Sequence, residues 1–163
     1  MEDREALRCI GTARQREALA FLYGRHARRI KAFALRALRD ELKLVIKECW
    51  ANVNERYAYN QPHTHANALL SGAYYVQVPP GHCGHLVLID PRSQPWVLQP
   101  EYAERNIANT PMQRLPPEAG RLVVFPSWLE HSVEQNLSGG ERVSMSFNVD
   151  LVPAAMVAAA RER

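Results

Sequence analysis

The feature that most narrows the fold is a change of hydrophobic period near Asp40. Over residues 5–39, Leu19, Leu22, Tyr23, His26, Ile30 and Phe33 recur at three- and four-residue spacings, the stripe of an amphipathic helix. Gly11 and Gly24 are weak points at which that segment divides. After Asp40 the period falls to two: Leu42, Leu44 and Ile46 share one face, with Lys43 and Lys47 on the other. From there the chain reads as short strands, at 69–78, 85–89, 96–98, 121–125, 131–134 and 142–152. Breaks at Pro79-Pro80-Gly81, Pro91, Pro95, Pro100, Pro116-Pro117 and Ser138-Gly139-Gly140 separate them. Helices first and then many short strands predict a mainly β jelly roll or sandwich, with N-terminal α-helices packed on one outer face. The expected division is a helical segment at 1–40, a β core at 41–152 and a tail at 153–163.

A chain of 163 residues, 47% hydrophobic and 23% charged, can bury one sizeable core. A net charge of +3 does not by itself call for nucleic acid. The basic residues are concentrated early, at Arg14, Arg16, Arg25, Arg28, Arg29, Lys31, Arg36 and Arg39. They read as a solvated helix face, with a phosphate-binding surface as the alternative. Cys9, Cys49 and Cys83 cannot all pair within the chain, so reduced thiols and a cytoplasmic location are expected. The opening MEDREALRC has no apolar core region, so no signal peptide is expected. No apolar run approaches ~18 residues, and no membrane span is expected.

The chemistry is concentrated in histidines. On a strand, His63 and His65 would point the same way and could share one metal ion. Asn67 would lie on that side too, as a hydrogen-bonding neighbour or a further contact. Taken alone, the pair reads first as exposed loop histidines after Gln61-Pro62. His131 changes the weighting: it follows an apolar strand and a tight turn, and it supplies a third imidazole from a distant strand. Neutral imidazoles suit iron, zinc, copper or nickel. The run Gly81-His82-Cys83-Gly84-His85 is a weaker candidate zinc site with no matching closed motif. In the last strand, Arg142, Ser144, Ser146, Asn148 and Asp150 form a polar face, opposite Val143, Met145, Phe147, Val149 and Leu151. If the polar face looks into a barrel, Arg142 can fork onto a carboxylate and Ser144 can add a hydroxyl. If it faces solvent, Arg142 means little.

Several blocks occur together in order: His63-Thr64-His65, Leu70 to Pro79, Asp90-Pro91-Arg92, Gly120 to His131 and Arg142 to Asn148. Over roughly residues 50–151 this pattern resembles the 2-oxoglutarate/Fe(II)-dependent oxygenases of bacteria and phages, distant relatives of prolyl hydroxylases. The resemblance implies a double-stranded β-helix that uses Fe(II) and 2-oxoglutarate. The histidine pair would lie on the second core strand, the distal histidine on the seventh and the Arg-x-Ser anchor on the eighth. His63, His65 and His131 would bind metal. Arg142 and Ser144 would hold the far carboxylate of 2-oxoglutarate, joined by Tyr75 or Tyr74, of which parity admits one. Trp50, Asn52 and Asn54 would line the approach. The substrate implied is a small molecule or peptide, with no nucleic-acid or membrane partner; a homodimer stays open.

One departure stands out. The broad superfamily has His-x-Asp or His-x-Glu where this chain has His-x-His. Iron(II) with three neutral ligands and a doubly charged 2-oxoglutarate is neutral overall, where the carboxylate-bearing set carries one negative charge. Asp90 and Glu130 are the fallback carboxylates. The alternative reading is a cupin-like three-histidine enzyme, such as a thiol dioxygenase or an isomerase, in which Arg142 grips the substrate itself. A third is a non-enzymatic module that binds through the basic helix.

Overall fold

The computed structural model describes residues 42–106 and 109–156. The expected helices at 1–40, their packing, and most of the 153–163 tail lie outside the described residues. Among the described residues eight strands follow in order: β1 Leu42–Asn54, β2 Asn60–His63, β3 Leu70–Gln77, β4 Leu86–Ile89, β5 Met112–Leu115, β6 Leu122–Pro126, β7 His131–Val133 and β8 Arg142–Pro153. They form two four-stranded sheets, β1-β8-β3-β6 and β2-β7-β4-β5, and every pairing is antiparallel. Successive strands mostly alternate between the two sheets, which is the double-stranded β-helix expected. Among the described residues no helix is long and apolar enough to cross a membrane.

The alternation in β8 was read correctly, and β1 shows how it is used. Leu44, Ile46, Cys49, Ala51 and Val53 stand opposite Leu151, Val149, Phe147, Met145 and Val143, giving an all-apolar face. Strict period two would have put Trp50, Asn52 and Asn54 on that same face as Leu44 and Ile46. A bulge between Ile46 and Glu48 inserts one residue and reverses the parity. Trp50, Asn52 and Asn54 therefore pair with Ser146, Ser144 and Arg142 and turn toward the space between the sheets. Phe147 and Val149 are the buried centre of the apolar face, with Leu44, Ile46, Leu70, Leu122 and Val124 packed against them. Gly72 makes room for this packing, because an added Cβ would overlap the Phe147 ring.

Two strand assignments need correction. Residues 96–98 are not a strand: Gln94–Val97 forms a single helical turn, α1, with Pro95 in its first turn. Proline presets the helical φ and lacks the N–H that a ladder needs. Trp96, Val97 and Leu98 find no partner strand, and all three are exposed. Conversely, β5 passed unnoticed because Met112-Gln113-Arg114-Leu115 has no alternation of its own. Pairing with β4 defines it. Pro62 is tolerated within β2 because β2 is an edge strand.

Candidate active site

His63 closes β2 and stands opposite His131, the first residue of β7. His65 lies beyond the strand end, so the expectation that both members of the pair sit on one strand holds only for His63. A loop brings the second imidazole in: the His65 backbone N–H donates to the Ser127 carbonyl at 2.9 Å. The three rings nonetheless converge, with centroids 4.3 to 5.1 Å apart. One ligand nitrogen from each lies within 4.8 Å of the others. His63 Nδ1 donates to the Gln61 carbonyl at 2.7 Å and His131 Nδ1 to the Leu129 carbonyl at 2.9 Å. A carbonyl only accepts, so Nδ1 carries the proton in each ring, and in the neutral tautomer Nε2 is the nitrogen that could take a metal. Asn67 does not join them. It occupies a turn with φ 57° and its carbonyl accepts from Lys47 Nζ at 3.2 Å. The turn ends the strand periodicity that would have aimed Asn67 inward.

A polar relay starts at Ser127, buried through Ser71 and Asn148 and ending on the exposed Glu48 carboxylate. Ser127 and Ser71 hydroxyls meet at 3.0 Å, the Ser71 hydroxyl donates to Asn148 Oδ1 at 2.8 Å, and Asn148 Nδ2 donates to Glu48 Oε2 at 2.8 Å. Each bond points toward the carboxylate, an arrangement in which successive dipoles reinforce one another. The relay ties the loop carrying His65's partner to β3, β8 and β1. Asn136, fully buried, does the same for Arg142: it donates to the Asn54 and Gly140 carbonyls and accepts from Ser138, locking the turn before β8. Neither group is conspicuous in sequence. The one available signal was polar residues on strand faces that also carry the histidines and Arg142.

Arg142 is 1% exposed, the most deeply buried charge among the described residues. Its Nη1 donates to the Cys83 carbonyl and, at 3.0 Å, to the Gly84 carbonyl. Gly84 has φ 80°, and an added Cβ would overlap the Glu134 carbonyl and lie 2.9 Å from Arg142 Nη1. Gly84→Ala is therefore expected to cost at least about 2 kcal/mol, from left-handed strain plus displacement of the guanidinium. A denaturant midpoint unchanged from the parent protein would refute this. Arg142 Nη2 is buried with no hydrogen-bond partner. Among the described residues no carboxylate pairs with Arg142. Burial lowers its pKa, and only the Tyr75 and Cys83 side chains act in the other direction. A buried cation held by neutral carbonyls, with one donor unused, has the chemistry to receive an anion. Tyr75 and Ser144 are register partners on the same face, and both line the pocket that contains Arg142 and the three histidines. Tyr74 pairs with Met145 on the apolar face, so register resolves the choice that parity left open. Burial raises the Tyr75 pKa, although Arg142 opposes it, and the phenol remains a donor.

Residues 48–148 match the family model described as "Putative 2OG-Fe(II) oxygenase", 2OG being 2-oxoglutarate. The chain belongs to this family. Its cofactors are Fe(II) and 2-oxoglutarate, and the match favours the oxygenase over the cupin-like alternative. No curated protein sequence matches the chain significantly. Among solved structures, the chain is similar in fold to a 2OG-Fe(II) oxygenase family oxidoreductase from Burkholderia pseudomallei. That similarity has a TM-score of 0.58 at 18% identity and covers 82% of this chain and 57% of the other. A Pseudomonas putida prolyl-4-hydroxylase gives 0.52 at 20% identity, over 76% and 61%. A non-heme alpha ketoglutarate dependent epimerase from nogalamycin biosynthesis gives 0.53 at 20%, over 77% and 53%. The chain thus spans less than two thirds of each.

The residues present fit the family's cofactors. Three nitrogen donors converge on one point, and the orphaned Arg142 donor suits a carboxylate. Among the described residues no carboxylate joins the three imidazoles as a candidate ligand. Asp90 is closed onto Arg92, with 2.6 Å between Oδ2 and Nη2, and Glu130 is exposed and absent from the cluster. No second metal-binding group of this kind occurs at 81–85 among the described residues. There, the Cys83 carbonyl serves Arg142, and His85 Nδ1 pairs with Glu134 at 2.7 Å.

Burial favours the neutral form of two of the imidazoles, His131 and His65. Burial pushes the His131 pKa down from its ordinary 6.5 to about 4; its bond to Leu129 opposes this, and His63 and His65 add to it. His65 is lowered in the same way, chiefly by burial. A folded-state pKa below the unfolded one gives stability that is present above pH 6.5 and lost as pH falls through 4. For the metal-free protein the expected loss is up to about 3 kcal/mol, read from denaturant midpoints at pH 7.5 and 4.5. Equal midpoints would contradict it.

Proposed function

We propose that this protein is an Fe(II)- and 2-oxoglutarate-dependent hydroxylase acting on a small molecule or peptide. His63, His65 and His131 would hold the metal through their ring nitrogens, and Arg142, Ser144 and Tyr75 would receive the far carboxylate of 2-oxoglutarate. The observation that carries this reading is the buried, unpaired Arg142 donor in the same pocket as three converging imidazoles. Bound iron and 2-oxoglutarate supply oxygen activation coupled to oxidative decarboxylation of the co-substrate to succinate and carbon dioxide. The chain's own residues bind, orient and exclude water. Arg142 neutralises one carboxylate in a low-dielectric setting where a charge-assisted bond is strong. Phe125 and Leu86 give the pocket apolar walls. The Nδ1 bonds to Gln61 and Leu129 fix two rings before any metal arrives. We take the β core at 41–152 as the catalytic unit. We also place the protein in the reducing cytoplasm, in keeping with Cys49 and Cys83 as free thiols.

The test is metal analysis of anaerobically purified protein, followed by succinate measurement with and without 2-oxoglutarate. Iron-dependent succinate is the expected result. Iron-loaded protein that forms no succinate above the metal-free control would sink the proposal and return the cupin-like alternative.

A further inference from the structure

The row of side chains that contains His63 and His131 continues past them. His63, His131, Leu88 and Gln113 are successive register partners across β2, β7, β4 and β5, so all four share the inner face of the second sheet. With strands about 4.8 Å apart, Gln113 lies about 10 Å from His131 with Leu88 between them. Leu88, Gln113 and Leu129 line a cleft of about 200 Å³, bounded also by Ile89, Pro91 and Thr110. That space is several times the roughly 30 Å³ share of one water, so the cleft has room for a small substrate group. Gln113 Nε2 is buried and has no hydrogen-bond partner. An orphaned donor destabilises a fold, and a leucine of similar size would carry no such cost. The terminal amide torsion is soft, so a small rotation turns the donor from the cleft floor to its interior. Arg92 also borders the cleft, but it is engaged with Asp90 at 2.6 to 3.1 Å. The cleft therefore offers a neutral donor beside the apolar Leu88, Ile89 and Leu129, with Thr110 and the paired Asp90 and Arg92 completing its lining.

We propose that this cleft is a substrate subsite in which Gln113 donates to an uncharged carbonyl while the substrate's apolar flank lies on Leu88 and Leu129. This rests on the oxygenase reading and narrows its substrate to a peptide or an acylated small molecule, bound about two strand spacings from the histidines. The experiment titrates the isotopically labelled, metal-free full chain with three probes and follows the Gln113 side-chain amide by NMR. N-acetylleucine N-methylamide mimics a peptide, 4-methylpentanamide mimics an acylated small molecule, and 4-methylpentanoate keeps the apolar flank but adds charge. Both amides are expected to shift the Gln113 resonance, with the carboxylate at least tenfold weaker. Tighter binding of the capped leucine indicates a peptide, and the reverse indicates the small molecule. Gln113→Leu is expected to lose amide binding while melting a few degrees higher, roughly 2–5 °C, opposite in sign to a merely structural role. A silent Gln113 resonance with both amides, or undiminished binding by Gln113→Leu, overturns the subsite. Turnover is read separately: succinate formed alongside a silent Gln113 overturns the subsite alone, whereas a shifted Gln113 without succinate overturns the oxygenase reading.

Discussion

Arg142→Met is expected to raise the 2-oxoglutarate concentration for half-maximal succinate formation by roughly 10- to 100-fold, with iron content unchanged. The figure follows from charge-assisted hydrogen bonds worth about 1.5–3 kcal/mol, at 1.4 kcal/mol for each tenfold. The variant separates the anchor from the metal because the guanidinium contacts the Cys83 and Gly84 carbonyls and none of the histidines. Stability should change less than affinity. The substitution leaves two carbonyls without their donor, but it also removes a buried charge that has no carboxylate partner among the described residues. These effects oppose one another. Co-substrate dependence equal to that of the parent protein would show that Arg142 does not hold the far carboxylate.

His131→Leu should have the larger effect on turnover. Loss of outer partners of metal ligands typically weakens binding by about 10–100-fold, so loss of one ligand of three should exceed about 100-fold in Fe(II) affinity and take succinate below detection. The metal-free variant should nevertheless fold. His131 is 3% exposed beside Phe125, with 4.5 Å between ring centroids, and leucine fills much of that space. Its stability should also lose most of the decline between pH 6.5 and 4, because the group whose protonation is resisted has gone. Metal content by atomic absorption and paired denaturation curves at two pH values give both readouts. Full iron occupancy in the variant would remove His131 from the ligand set.

Much of the architecture was legible because it depends on local alternation. β8 shows its two faces without help: Phe147 and Val149 sit in the core, while Arg142 and Ser144 face the pocket. The same logic misread residues 96–98, where Pro95 and the lack of a partner strand outweighed an apolar run. It also missed β5, whose identity comes from β4. At the site, the three histidines and Arg142 stood out by residue type. The Ser127-Ser71-Asn148-Glu48 relay did not, because its members come from four separate segments and are ordinary polar residues in each.

Side-chain chemistry and strand parity, both properties of neighbouring residues, were enough to specify a β barrel and to nominate its imidazoles and its arginine. Packing across distant segments settled the rest. The bulge at Lys47 turned Trp50, Asn52 and Asn54 inward, the β3–β8 register chose Tyr75 over Tyr74, and a loop rather than a strand delivered His65. Alternation fixes which residues of a strand share a face. Which face meets the pocket is fixed by pairing with another strand, and that information is not local to either.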